Sequence, residues 1–300
     1  MREIAAVWMA AAAMLVVAID ARAACPPAGT TRAGMNALAD TGFALDDARE
    51  RNRLALELVD CLGHPDPQWR DRIAYEALAG WIRADQLDSS TLLDLAGRLS
   101  ATLASSAPDK AGFRKSFSAL VLAALVEADR RRPFLQDGAT GQLVDAASDW
   151  FESIRDYRGF DARAGWRHAI AHGSDLLAQL ALDPRATRAD IDRIVGALET
   201  QIAPAGSHFY IHGEPERIAL PLLYIAGRDF YTTEQWQDWF AGIAAVPEDG
   251  NLFGSQAALA RRHNLQAVLL VLYVNANESK DDGLHEVLLP AVTASLRRLQ

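Results

Sequence analysis

The chain has 300 residues, half of them hydrophobic and 23% charged, with 30 Lys and Arg against 39 Asp and Glu for a formal net charge of −9. That balance describes a globular protein able to bury a sizeable core, and it excludes a disordered chain, a disulfide-dense miniprotein and a polytopic membrane protein. Nonspecific nucleic-acid binding is excluded too, because phosphate recognition needs clustered cations and the longest basic run is Arg130-Arg131-Arg132.

Residues 1–24 read as a cleaved secretory signal peptide: Arg2 supplies a short positive start, Ile4 to Ile19 is apolar, and Ala21-Arg22-Ala23 gives a small-x-small cleavage pattern. The expected mature chain, 25–300, is then periplasmic or secreted, with no transmembrane segment of its own. Lipoprotein processing at Cys25 is the alternative. Cys25 and Cys61 are the two cysteines, and an even count in an exported chain invites a disulfide. Two unpaired thiols, with Cys61 packed in a helix, remain the other reading.

From Leu45 onward apolar residues recur at three- and four-residue spacing, which predicts helices. Asp46-Asp47 open the first, to about Leu62. Asp66-Pro67 open a second carrying Trp69, Ile73, Leu78 and Trp81, and Asp88-Ser89-Ser90 a third through Leu92, Leu95, Leu99 and Leu103. Gly112 to Ala128 is a nearly all-apolar fourth. Helices are expected next at about 139–156, 162–182, 188–203 and 215–227, then one capped by Thr232-Thr233, then 254–275 and 282–299. About eleven helices without strands, joined by short connections, predict an all-α fold: a HEAT-like α-solenoid of antiparallel helix hairpins, with an α/α toroid as the alternative. No linker divides the mature chain, so a single domain is expected.

Polar residues concentrate in two segments. His168, His172 and Asp175 stand at offsets of zero, four and seven, within about 60° on one helix. Trp166, Ile170, Leu177 and Leu180 mark the other side as the core face, which turns the histidines toward solvent or a groove. Two imidazoles and a carboxylate are suitable ligands for a divalent metal such as zinc, although Ala169 stands where a zincin has its Glu. A second pair, His208 and His212, shares one side of its segment and extends the metal candidates, with Glu214 and Glu216 as carboxylates near them. The plain alternative is hydrogen-bonded structural histidines, with Glu216 and Arg217 locking the following helix. No GxSxG elbow, phosphate loop or dinucleotide fingerprint is present.

The run Phe113-Arg114-Lys115-Ser116-Phe117-Ser118-Ala119-Leu120, the segment Asp156-x-Arg158-Gly159-Phe160, the segment Gly165-Trp166-x-His168-Ala169-x-Ala171-His172-Gly173-x-Asp175-Leu176-Leu177, and Glu214-x-Glu216-Arg217 together resemble a bacterial family catalogued as domain of unknown function 2785 (DUF2785). The resemblance covers roughly 90–300 and is densest over 156–177. It departs from the family pattern at Asp161 and Arg167. Membership implies no transferable activity; it strengthens the helical reading and marks Arg158, Trp166, His168, His172 and Asp175.

Three functions follow as expectations. The first is a binding protein whose groove, lined by Trp166, His168, His172 and Asp175, takes a small ligand, a metal or a protein partner, with Arg158, Glu214, Glu216 and Arg217 around it. The second is a metal-dependent hydrolase with His168, His172 and Asp175 as ligands and Glu214 or Glu216 as base. The third is a structural scaffold in which the same residues tie helices together.

Overall fold

Thr31, Asp47, Asp88, Thr187, Thr232 and Ser255 each precede a helix in extended backbone and accept a hydrogen bond from its first turn. Their side-chain oxygens satisfy N–H groups that have no partner within the helix, and so fix where six helices begin. The computed structural model describes residues 25–245, 252–280 and 282–300; residues 1–24, for which a signal peptide is the sequence expectation, lie outside the described residues.

The elements run α1 (Arg32–Asp40), α2 (Ala48–Leu58) with a 3-10 turn Val59–Gly63, a π-helical segment Gln68–Tyr75 continuous with α3 (Glu76–Arg83), α4 (Ser89–Ala104), α5 (Arg114–Arg131) and α6 (Ala139–Ser153). After these come β1 (Phe160–Asp161), β2 (Gly165–Trp166), α7 (Ala169–Ala181), α8 (Arg188–Ile202), α9 (Glu214–Ala226), α10 (Thr233–Ile243), α11 (Gln256–Glu278) and α12 (Asp282–Arg298). The expected all-α class is observed. Among the described residues no helix is long and apolar enough to cross a membrane.

Helices alternate between two rows. In one, α3, α5, α7, α9 and α11 pack in succession; in the other, α2, α4, α6 and α8 do. The rows meet over a continuous apolar core whose members run from Met35 to Leu299. Helix α5 is apolar on nearly every side and correspondingly buried, with Phe117, Val121, Leu122, Leu125 and Val126 all inside. Helix α7 lies between α5 and α9 and touches α6 at Gly173, where a Cβ would stand 2.5 Å from the Phe151 ring. The C-terminal carbonyls of α7 are closed by arginines: Arg130 donates to Gln179 O at 2.9 Å, and Arg228 to Ala181 O.

Three sequence expectations are corrected. Helix α1 precedes the first one expected, and the second expected helix is π-helical over its first half. The segment 162–182 is helical only from Ala169; a two-residue antiparallel hairpin, Phe160 opposite Trp166 and Asp161 opposite Gly165, occupies the place of its start. Strands two residues long give no period-two signal to read.

Cys25 and Cys61 form a disulfide that closes a separation of 36 residues. On the chain-entropy account a loop of that length stabilises by about 3–4 kcal/mol. Replacing both cysteines by serine should therefore lower the unfolding free energy by that order in urea titrations, and reduction of the wild type should do the same. Coincident urea curves for the oxidised, reduced and Ser-substituted proteins would show that the crosslink carries no stability.

Candidate functional site

The hairpin is built by its own turn chemistry. Asp161 accepts hydrogen bonds from the N–H groups of Arg163 (3.0 Å) and Ala164 (2.8 Å), and Gly165 takes a positive φ of 74° that a side chain would strain. Buried Arg70 holds the turn from below. Its guanidinium donates to Ala164 O at 2.7 Å, to His64 O at 3.0 Å and to Asp71 at 2.6 Å, and lies 3.8 Å from the centre of the Phe113 ring. The chain leaves the hairpin through Arg167, whose N–H meets Gly159 O at 3.0 Å, and reaches His168 in a left-handed conformation (φ 55°, ψ 38°). Helix α7 starts at the next residue.

That left-handed residue separates the predicted histidine set. His168 is the N-cap of α7 and lies outside the helical turn; its ring stacks on Trp166 at 4.6 Å and 28°, and its Nε2 is 2.8 Å from His212 O. His172 lies within α7 and is buried, so of the two expected surroundings, solvent or a groove, it does not face open solvent. Trp166 is 40% exposed, so it is not part of the core stripe assigned to it from the sequence. The spacing puts His168, His172 and Asp175 on one face only if the helix begins before His168, and it begins at Ala169.

Ser116 on α5 explains the burial of His172. Its hydroxyl donates to Arg167 O, and its oxygen is 2.9 Å from Nδ1 of His172. With the serine proton committed, Nδ1 of a neutral His172 is the donor, and the lone pair is on Nε2. The His172 ring also packs edge-on against Phe117 at 5.2 Å and toward His168 at 5.7 Å. Burial drives the His172 pKa down to about 3, helped by the nearby His168 and Arg217. Burial lowers His168 and His208 in the same direction.

Asp175, one turn on, is held by Arg217 of α9 in a two-pronged pair with Nε at 2.6 Å from Oδ1. Burial pushes its carboxyl up while Arg217 pulls it down. Arg158 is held by Asp156 at 2.7 and 2.5 Å. Glu214 is buried at the start of α9, where Oε2 accepts the His212 N–H at 2.8 Å, whereas Glu216 is exposed. His212 packs edge-on to Trp166 at 5.9 Å, and a Cβ on Gly159 would stand 2.3 Å from its Nδ1. His208 stacks on Tyr157 at 5.1 Å and 18°. His208 Nε2 and His212 Nδ1 are both buried without a hydrogen-bond partner.

The structure thus brings Trp166, His168, His172 and His212 into one run of rings, and places His208 with Tyr157 and Tyr210. It does not assemble the expected metal set: among the described residues no three His, Cys, Asp or Glu are grouped so as to hold a metal ion. His172 is turned to Ser116 and Asp175 to Arg217. Sequence reasoning missed Phe160, which is 55% exposed with its ring 5.1 Å from Trp166, and it missed the role of Ser116. Ser116 did have a signal, as a polar residue inside an otherwise apolar helix.

Residues 99–274 match the family model described as protein of unknown function, DUF2785. The chain belongs to that family. The match is shorter than the 90–300 read from the sequence but contains both histidine segments and every marked residue from Arg158 to Arg217. The DUF2785 region spans α5, the hairpin, α7 and α9, the elements that build the site. The chain matches no curated protein and no solved structure.

The buried neutral histidines set a pH dependence. An imidazole in the unfolded chain takes up a proton as pH falls through about 6.5, whereas folded His172 does not until about 3, so stability falls on acidification across that window. Each such proton removes about 1.4 kcal/mol per pH unit. Asp175, its pKa raised, works in the opposite sense. Unfolding free energies measured from pH 7 to pH 5 should decline in the wild type and decline less steeply in His172→Gln. Parallel profiles would mean that His172 titrates in the folded protein.

Proposed function

We propose that this protein is an exported, single-domain stack of helical hairpins, of the α-solenoid kind, that binds a small neutral saccharide-type ligand on a shelf made by Phe160, Trp166 and His168. Export is supported by the signal-like first 24 residues and by the Cys25–Cys61 disulfide, a crosslink that belongs to oxidising compartments. A cysteine sulfur in a disulfide cannot also carry a thioether-linked lipid, which favours a soluble mature chain over a lipoprotein.

The observation that carries the ligand reading is the exposed aromatic shelf. Phe160 and Trp166 remain 55% and 40% exposed although each is in ring contact with a neighbour, and Ile211, 72% exposed, lies in the adjacent loop beside His212. Large rings kept in water by a backbone that holds them firmly mark a recognition surface. Several polar groups around them are uncharged or held internally: His168 is lowered by burial, Arg158 is spent on Asp156, Asp175 on Arg217, and Arg167 donates to Ala111 O. Such a surface offers an aromatic face with hydrogen-bonding groups beside it, and the exposed charges nearest to it, Asp161 and Arg163, are of opposite sign and lie at the turn. A hydroxyl-rich ring with an apolar face is the matching chemistry, and the net charge of −9 disfavours anionic ligands.

The metal-dependent hydrolase reading needs His168, His172 and Asp175 to converge on one ion; among the described residues they are not grouped so as to hold one, and Asp175 is paired with Arg217. The scaffold reading accounts well for those two residues, which tie α7 to α5 and α9, but it leaves the exposed rings unexplained.

Titration calorimetry of the chain from residue 25 with cello-, chito- and malto-oligosaccharides tests the proposal. One series should bind, and Trp166→Ala should weaken it about tenfold or more with an unchanged melting temperature. The reading fails if no series binds, or if Trp166→Ala binds as the wild type does. Specific association of the shelf with a protein in place of a sugar would also overturn it.

A further inference from the structure

Beyond the shelf, α7 lines a second concavity. His172, Asp175 and Gln179 occur at offsets of zero, three and seven, one side of the helix, and the last two line a half-open cavity of about 210 Å³ between α3, α5, α7 and α9. Tyr75, at the end of the π-helical segment, and Arg217, on α9, close its sides, and Ala123 and Ala124 of α5 leave its floor open.

The charges in this cavity cancel. Asp175 is paired with Arg217, and Glu127 lies 3.7 Å from Arg83. Two carboxylates against two guanidiniums leave no net charge to draw an ion. The lining groups left without partners are neutral: the Gln179 side chain, whose Oε1 is buried just behind the wall with no hydrogen-bond partner, and the Tyr75 hydroxyl, which makes no hydrogen bond among the described residues. Buried polar atoms are nearly always satisfied, and a turn of the Gln179 amide would present its oxygen to the cavity, where a ligand donor would complete it. The space is smaller than the roughly 300–1,000 Å³ typical of drug-sized ligands, which restricts the occupant to about one ring.

We propose that this cavity is a second recognition site, for one neutral hexose-sized ring, in which Gln179 and Tyr75 hydrogen-bond its hydroxyls and the Asp175–Arg217 pair supplies a fixed donor and acceptor. The proposal deepens the saccharide reading of the shelf and rests on it for the class of ligand alone. The Tyr75 ring packs edge-on against Phe117 at 6.3 Å, and Phe117 packs against His172, so the cavity wall and the buried end of the histidine run share one aromatic contact.

The test uses the chain from residue 25 with glucose, galactose, mannose and N-acetylglucosamine, followed by calorimetry and by ligand-observed NMR. At least one should bind; Gln179→Leu should weaken it about tenfold, Tyr75→Phe by a smaller factor, and Trp166→Ala not at all. Gln179 makes no side-chain hydrogen bond within the described residues, so its replacement should leave the melting temperature in place; Gln179→Met is a second variant should Leu disturb folding. The proposal is overturned if none of the four sugars binds, if binding is indifferent to Gln179 and Tyr75, or if glycine or glutamate competes where sugars do not. Failure of the shelf alone has a different signature: monosaccharide binding that depends on Gln179, beside oligosaccharide binding that is absent or ignores Trp166.

Discussion

The hydroxyl of Ser116 is placed between two groups that have no other reason to meet. It gives its proton to the carbonyl of Arg167, 51 residues away, and receives one from the His172 ring, 56 residues away. Because a hydroxyl has a single proton, the direction of the first bond dictates the second and, with it, the tautomer of the histidine. The exit of the hairpin, the first turns of α7 and the N-terminal part of α5 are thereby registered against one another at one oxygen. Arg70 performs the matching task at the hairpin turn. Its buried charge is tolerable because Asp71, three backbone carbonyls and the Phe113 face surround it, and one of those carbonyls is Ala164, 94 residues on. A hairpin with two-residue strands has too few hydrogen bonds to stand alone. Braced at both ends from α5 and the π-helical segment, it can hold Phe160 and Trp166 in water.

Neutrality of the site follows from the same packing. Burying α7 between α5 and α9 removes water from His172, and desolvation favours the uncharged ring. Asp175, one turn further on, would be costly to bury as a lone anion, and Arg217 from α9 offsets that cost. A chain with nine excess negative charges thus presents, along this side of α7, groups that are neutral singly or in pairs. Hydrogen bonding and ring contact are the interactions left for a ligand to use.

How much of this was legible in the sequence differs by element. Helices opened by Asp47, Asp88, Thr187 and Thr232 could be placed because each cap is a local signal, readable within four residues. The start of α7 could not. Gly165-Trp166-Arg167-His168 continues the apolar spacing of the helix, and only the left-handed backbone at His168, fixed by contacts to Arg158 O and to the His212 segment, breaks it. Once the helix is drawn too early, the i, i+4 histidines seem to share a face, and a metal site follows from a register that does not exist. The π-helical stretch before α3 escaped for a related reason, since Trp69 and Ile73 carry the same spacing in either helix type. Gln179 and Tyr75 could not be found at all from sequence: what distinguishes them is the lack of a partner, and that is a property of the tertiary arrangement.

The shelf and the cavity accordingly depend on different parts of the fold. The cavity is lined by α3, α5, α7 and α9, whose mutual packing is continuous with the main core, so its shape is set by the most cooperative part of the molecule. The shelf depends on a seven-residue hairpin, 160–166, whose position rests on the Ser116 hydroxyl and the Arg70 guanidinium. Loosening either brace would free the exposed rings without opening the core. His172 lies at the junction: through Ser116 it shares the brace of the hairpin, and through Phe117 it touches the ring system that reaches Tyr75. Any change in the protonation of that one buried imidazole would therefore act on both places at once, on the shelf by way of a hydrogen bond and on the cavity by way of packing.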